Sequence, residues 1–445
     1  MTIAIDEKYL NDWSGARYGT PAGLERPRST DELASILRAA NQSRLPCAIQ
    51  GGRTGVSGGA SPADHELIVS LERMNQIEEI DTASGIAIVG AGVVLETLQS
   101  EAETVGWTFP IDLASRGTCQ VGGNASTNAG GCRVIKYGTT RESVLGVEAV
   151  LANGDVLGPP NRLLKNNAGY SLSSLFIGSE GTLGVIGRLA LRLVPVPPVR
   201  RTLLVALNDI ANVADVLAAA RLSLRDTLSA FEVMWEDFVE AALLLPGNAR
   251  QLPPSFWGRR AVLIEVEGND EVSTDSMLER YVSAQMENGA LVDAVLSVSN
   301  QDAQNLWAIR DSVAEMQAGM RPYVGFDLGV APAKHDAVVK GAKHELSRSL
   351  PRCKSVFFGH VGDGNLHAVV GPCASGEERA EVDRIVYGLL PPRESSITAE
   401  HGVGRKRKSF LLQSRTQTEL NAMKTLKAAM DPNNILNRGR IFDMP

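Results

Sequence analysis

Apolar residues recur along this chain at two periods, and the period decides which stretches read as helix and which as strand. Leu33, Ile36, Leu37 and Ala40 recur at helical spacing, with Ser29 or Thr30 placed to cap the first turn. Leu45 to Gln50 follows as a short apolar strand running into a glycine cluster. Leu67–Leu71 and Gly85–Gly92 read as strands, and a helix is expected from about Val94. Val144–Val150 and Val156-Leu157 flank Asn153-Gly154, a pair that supplies the positive φ of a type I′ turn, so a hairpin is expected there. Pro195, Pro197 and Pro198 mark a domain boundary. Beyond them Leu203–Leu207, Ala261–Glu267 and Ala294–Val298 look like strands of a second sheet, alternating with helices such as Asn212–Arg221. Phe357 to Val370 reads as strand, glycine turn, strand, and Met430 to Asn437 closes a helix. The expected class is α+β.

The chain has 445 residues, more than one hydrophobic core usually serves, so at least two domains are expected. With 44% hydrophobic and 21% charged residues it reads as globular rather than disordered. A formal net charge of −7 gives no basic excess for nucleic acid. The dense basic run Arg405-Lys406-Arg407-Lys408 reads as a solvated surface turn, or else as a contact for an acidic redox partner or an anionic substrate. The five cysteines are odd in number and show no CxxC spacing, which argues for a reducing, cytoplasmic setting. Neither a signal-peptide pattern nor an apolar run of about 20 residues is visible, so no membrane span is expected.

Three glycine-rich segments lie between residues 51 and 184. The first contains Gly51, Gly52, Arg53, Thr54, Gly55, Gly58 and Gly59; the second, read as a loop, contains Gly122, Gly123, Asn124, Thr127, Asn128, Gly130 and Gly131; the third contains Glu180, Gly181 and Gly184. Glycine lets backbone N–H groups turn inward and approach an anion closely, and interleaved Thr, Ser and Asn add donors. Three such segments point to a phosphate-bearing cofactor. None opens a helix as GxGxxG with an acidic residue about 20 positions on, and no GxxxxGK[ST] occurs, so neither a nicotinamide Rossmann site nor a P-loop is indicated.

A second constellation lies in Gly359-His360-Val361-Gly362-Asp363-Gly364-Asn365-Leu366-His367. Two strands and a tight turn would bring both imidazoles to one side. Glu400-His401 follows downstream. Two histidines and a carboxylate suit Zn²⁺ or a similar divalent ion with open positions. A pair of structural histidines satisfied within a turn is the other reading. His65, His335 and His344 are expected at the surface.

Together these segments resemble flavoproteins of the vanillyl-alcohol oxidase / p-cresol methylhydroxylase fold. The resemblance is strongest to the D-lactate and D-2-hydroxyglutarate dehydrogenases and the glycolate oxidase D subunit. It is carried by Arg26-Pro-Arg-Ser-Thr-Asp-Glu, the Gly51 segment, Val121-Gly-Gly-Asn-Ala-Ser-Thr-Asn-Ala-Gly-Gly, Asn167-Ala-Gly-Tyr through Ile186, and the HxGDGNxH and EHGxG elements, and it covers nearly the whole chain. It implies a two-subdomain FAD-binding domain of p-cresol methylhydroxylase type over residues 1–198. A substrate (cap) domain with an antiparallel sheet and the metal site would span 199–430, and a tail, 431–445, would return to the first domain. It also implies FAD with its pyrophosphate on the Gly51 and Gly122 segments, with Ile186 and Asn437 among the cofactor contacts. Some members of the fold attach FAD covalently through a histidine of these loops. Here no histidine lies between His65 and His335 and position 53 is Arg, so non-covalent FAD is expected.

The resemblance makes His360, His367 and Glu400 ligands of a divalent metal, Zn²⁺ or Mn²⁺, and His401 the general base. In an extended segment Glu400 and His401 would point to opposite sides. Arg310, in Leu306-Trp-Ala-Ile-Arg, takes the place of the family's substrate arginine, an ordinary surface salt bridge being the other reading. The metal favours the alkoxide, His401 accepts the proton, and the C2 hydride passes to the flavin. Ala314, Gly325 and Val369 stand where the 2-hydroxyglutarate enzymes carry threonine, lysine and asparagine. An unpaired distal carboxylate against Val369 would be poorly solvated. The expected substrate is therefore a D-lactate-like monocarboxylate rather than D-2-hydroxyglutarate. The electron acceptor, an electron-transfer flavoprotein, a quinone or a cytochrome, is not specified, and a homodimer stays open. A transferase like alkylglycerone-phosphate synthase lacks support, because that enzyme's histidine run is missing. A non-catalytic FAD-binding subunit is the remaining alternative.

Overall fold

The computed structural model describes residues 5–245 and 252–444. Two compact units emerge: Met1–Gly131, Tyr137–Val196 and Glu400–Pro445 in the first, Cys132–Lys136 and Pro197–Ala399 in the second. The boundary after the prolines falls at 196/197 rather than 198/199. Residues 400–430, expected with the second domain, belong to the first unit.

In the first unit, β1 (Gly23–Glu25), β2 (Cys47–Gln50) and β3 (Leu67–Ser70) form a parallel sheet in the order β1-β3-β2. β4 (Ile77–Asp81), β5 (Ile86–Gly90), β7 (Val144–Val150), β8 (Val156–Leu157) and β9 (Val185–Arg192) form an antiparallel sheet in the order β4-β5-β9-β7-β8. β6 (Trp107–Thr108) pairs with β10 (Val194–Pro195). The helix Thr30–Ser43 starts as its sequence dictates: Ser29 accepts from the Glu32 N–H, and Leu33, Leu37 and Ala40 are buried. The β7–β8 hairpin is present, but among the described residues of its loop only Gly154 takes a positive φ. Its N–H bonds the Leu151 carbonyl, so the turn is not type I′. The helix Gln417–Met430 leads into a tail that extends the sheet edge, where the Cys47 N–H bonds the Ile435 carbonyl and the Asn437 N–H bonds the Cys47 carbonyl.

The second unit is built on a seven-stranded antiparallel sheet. Its strands are β11 (Val199–Leu207), β12 (Leu228–Met234), β13 (Ala261–Gly268), β14 (Leu291–Leu296), β15 (Val324–Gly329), β16 (Lys354–Gly359) and β17 (Asn365–Gly371), in the order β14-β11-β13-β12-β16-β17-β15. Strands such as Leu203–Leu207 and Ala261–Val266 are apolar at nearly every position because both faces are covered. Leu204, Ala206, Met234, Phe358 and Val369 point to the face packed by Phe238, Leu306, Ile309 and Met316. The segment Cys132–Lys136 is fastened to this sheet by its charges: Arg133 binds Glu265 with two N–H groups (2.7 and 3.0 Å), and Lys136 binds Glu267 at 2.8 Å.

Candidate active site

In the first unit the glycine segments converge behind β2. A Cβ on Gly52 would sit 2.3 Å from the Thr118 carbonyl oxygen, and one on Gly122 would sit 2.4 Å from the Ala91 Cβ, so neither position admits a side chain. A Cβ on Gly51 would come within 3.5 Å of the Gly123 Cα, whereas one on Gly123 would meet nothing within 4 Å. Backbone, not side chain, therefore lines this space. The Gln120 Oε1 is buried there without a hydrogen-bond partner, 3.5 Å from where a Gly51 Cβ would be. A backbone-lined cradle with an orphaned acceptor fits a large cofactor that carries both anionic and N–H groups, as FAD does.

The second glycine segment is not all loop. Val121–Thr127 is a helix ended by Asn128 at φ 52°, because Val121 and Gly122 donate to the carbonyls of Val93 and Ala91 and set the first turn. Several expected contacts do internal work with their side chains. Arg53 returns to the Gly51 carbonyl (3.2 Å) and lies over the Tyr9 ring. Thr127 bonds the Gly123 carbonyl, and Asn128 accepts from the Arg141 N–H and the Thr139 hydroxyl. Gly131 and Gly184 are close-packing positions, against the Asp112 carbonyl and the Phe176 ring, and Ile186 is core. Glu180, at φ 51°, accepts from the N–H groups of Val403 (2.7 Å) and Gly404 (2.8 Å). Burial pushes its carboxyl up despite those bonds. Asn437 ties the same turn to β2: its Nδ2 donates to the Glu180 carbonyl and its Oδ1 accepts from the Ile49 N–H. The basic run is not a solvated turn. Arg407 is buried and donates to the Gly402 carbonyl, and Arg405 bonds Glu66, which also holds the buried Arg440.

The histidine pair lies in the second unit. β16 ends at Gly359; a 3₁₀ turn, Val361–Asp363, and Gly364 at φ 91° reverse the chain into β17. This hairpin brings the rings of His360 and His367 to 5.1 Å, edge to face, at 5% and 7% exposure. The His360 Nδ1 faces Asp363 Oδ2 at 3.6 Å and its Nε2 faces Glu232 Oε1 at 3.9 Å. Arg310, on the helix Asn300–Asp311, donates from Nε to Glu232 Oε2 at 2.7 Å. It is thus an internal ion pair, not a surface one. Burial pushes the Glu232 carboxyl up, but Arg310 and then His360 outweigh it and hold it below the usual carboxylate range. The Phe358 ring lies under both Arg310 (5.3 Å) and His367 (5.0 Å).

Asp327 is the cross-strand partner of His367, and the Ala399 N–H donates to the Asp327 carbonyl. Glu400 is the next residue, at the point where the chain leaves this unit. The segment is bent, not extended, so Glu400 and His401 do not point apart: the His401 Nε2 lies 3.3 Å from Glu400 Oε1. His335 is not at the surface; it is fully buried, and burial pushes its pKa down to about 4. The sequence reading missed Glu232, although a lone acid within the apolar run Leu228–Met234 is itself a signal. It also missed Gln120, whose signal appears only in three dimensions.

Residues 21–158 match the model of the FAD binding domain, and residues 196–441 match that of the C-terminal domain of FAD linked oxidases. A protein from Oryza sativa subsp. indica, named a probable mitochondrial D-2-hydroxyglutarate dehydrogenase, is 37% identical over 97% of this chain and 77% of its own length. One from Xanthomonas citri pv. viticola, named D-2-hydroxyglutarate dehydrogenase, is 36% identical over 98% of this chain and 92% of its own length. Among solved structures, p-cresol methylhydroxylase with substrate bound superposes with a TM-score of 0.75 at 20% identity, covering 98% of this chain and 92% of that one. The backbone-lined cradle, the buried imidazole pair and these matches along nearly the full length lead to one conclusion: the chain belongs to the FAD-linked oxidase family.

Proposed function

We propose that this protein is an FAD-dependent dehydrogenase that oxidises a D-2-hydroxy acid to the 2-oxo acid, with a D-lactate-like monocarboxylate as the favoured substrate. The observation that carries the reading is the buried pair His360 and His367 beside the Arg310–Glu232 ion pair, in a chain with an FAD-binding domain. His360, His367 and Glu400 form the donor set for Zn²⁺ or Mn²⁺. When bound, FAD supplies a two-electron acceptor and the divalent ion supplies Lewis acidity toward the substrate hydroxyl. Arg310 grips the substrate carboxylate with the Nη end of its fork, its Nε being anchored on Glu232. His401 takes the hydroxyl proton on its imidazole, whose Nε2 lies 3.3 Å from Glu400 Oε1. The FAD is held without a covalent bond, and its acceptor is an electron-transfer flavoprotein, a quinone or a cytochrome.

The monocarboxylate preference is supported by Val369, buried at 2% exposure two residues from His367 on the same strand face. Across the strand pair stands Gly325, which offers no side chain. Ala314 is exposed on the helix Val313–Gly319, beyond a break at Ser312. The names of the relatives favour the second reading, D-2-hydroxyglutarate. Anaerobic flavin bleaching by D- and L-hydroxy acids, followed by steady-state kinetics, separates the two. Higher kcat/KM for D-2-hydroxyglutarate than for D-lactate overturns the monocarboxylate preference. A yellow protein that no hydroxy acid bleaches overturns the dehydrogenase reading.

A further inference from the structure

Glu232 is the one acid in Leu228-Ser-Ala-Phe-Glu-Val-Met, a strand whose residues are all buried. An ion taken wholly out of water costs several kcal/mol unless partners compensate it, roughly in proportion to how well both oxygens are used. Here one oxygen is used: Oε2 accepts the Arg310 Nε–H at 2.7 Å. The other, Oε1, is buried and accepts no hydrogen bond, yet it lies 3.9 Å from the His360 Nε2. The backbone sets this proximity. β12 pairs with β16 through Val233 opposite Gly359 and Met234 opposite Phe358, so the next step of the register puts Glu232 opposite His360, where β16 ends.

We infer that Glu232 is a positioning residue for both halves of the site, orienting Arg310 through Oε2 and supporting the His360 imidazole through Oε1. The Arg310 half rests on the dehydrogenase reading; the His360 half needs only the metal. Anchoring at Nε fixes the guanidinium plane and leaves Glu232 no claim on the Nη1 and Nη2 end of the fork, the end that binds a carboxylate by two parallel N–H groups; Nη1 there lies 3.6 Å from Asp311 Oδ1. On the imidazole, a carboxylate beside one nitrogen fixes the ring and raises its basicity as a ligand. Asp363, 3.6 Å from Nδ1, flanks the ring on the other side, so His360 stands between two carboxylates whichever nitrogen holds the ion. One side chain thereby links the grip on the substrate carboxylate to the seat of the metal.

The test uses FAD-loaded protein carrying Glu232→Gln, which keeps the shape and removes the charge, with Glu232→Asp as the charge-retaining partner. Zn²⁺ and Mn²⁺ dissociation constants come from chelator competition, and KM and kcat from steady-state oxidation of D-lactate. The expected result for Glu232→Gln is a rise of about tenfold or more in both the metal dissociation constant and KM, with kcat changed far less, and partial recovery in Glu232→Asp. A merely structural role would lower the melting temperature without this split. Folding is checked by flavin absorbance; if Glu232→Gln does not fold, the neutral pair Glu232→Gln/Arg310→Gln serves for the metal arm. Values of KM and metal affinity within twofold of wild type overturn the inference, as does a wild-type protein that binds neither ion for its His360 half. A wild-type flavin that no hydroxy acid reduces sinks the function reading instead, and the metal arm still decides the role of Glu232.

Discussion

His335 offers a stability experiment that does not depend on any bound group. Its ring is fully buried, with Nδ1 3.3 Å from the Pro332 carbonyl and the Trp235 ring 6.5 Å away. Burial pushes its pKa from 6.5 down to about 4. The unfolded chain therefore takes up a proton as pH falls through 6.5, while the folded chain resists until about pH 4. Between those values the unfolded state holds more protons, so the contribution of His335 is fully present above pH 6.5 and is lost as pH falls toward 4. At about 1.4 kcal/mol per pH unit, the gap from 6.5 to about 4 is worth about 3 kcal/mol in full, and about 2 kcal/mol between pH 7 and pH 5. His335→Gln keeps a polar group for Pro332 but does not titrate. Urea unfolding followed by tryptophan fluorescence at both pH values should show wild type losing about 2 kcal/mol more than the variant over that interval. Equal losses, to within about 0.5 kcal/mol, would refute the argument, because the histidine would then gain its proton as easily inside the protein as outside.

Two further outcomes are expected at the site itself. His401→Ala should leave FAD and metal bound, by absorbance and metal analysis, yet stop flavin reduction, whereas His360→Ala should lose metal and activity together; metal retained in His360→Ala would disprove the ligand assignment. Gly52→Ala drives a methyl into the Thr118 carbonyl at 2.3 Å, so the Gly51–Gly52 backbone must move at a cost of about 1–3 kcal/mol. The expected result is protein that purifies folded but with much less FAD than wild type, read from the ratio of visible to ultraviolet absorbance.

The strands of the second sheet were legible wherever an uninterrupted apolar run opens them, as in Leu203–Leu207 and the Ala261–Ile264 half of β13, whose Glu265 and Glu267 come only after that run. β12 was not, because Glu232 interrupts it, and β15 was not, because Gly325 and Asp327 break its pattern. β4 reads Ile-Glu-Glu-Ile-Asp and looks like surface; pairing with β5, not its own hydrophobicity, makes it a strand. The hairpin that joins His360 to His367 was legible from its glycines. The partners of those histidines were not, since Glu232 is 128 residues before His360 in sequence and meets it only through strand register. Glycine segments show in a sequence, but which glycines are barred from carrying a side chain is a matter of what lies opposite, as Thr118 does for Gly52. His335 was misplaced because nothing in its own neighbourhood reveals that the helix it opens is buried at that end, beside Pro332 and Trp235.

The tie between Asn437 and Ile49 spans 388 residues of chain. A ribosome makes β2 and the first glycine segment early, yet the edge N–H groups of Cys47 and Ile49 find their partners only when Ile435 and Asn437 have emerged. Throughout that interval the first unit carries an open strand edge, the kind that invites pairing with other chains. The β2 edge of the cradle is therefore completed only by residues translated 388 positions after it. A chain that stops short of Ile435 has its first glycine segment complete in sequence, while the β2 edge beside it lacks the partners that Ile435 and Asn437 supply.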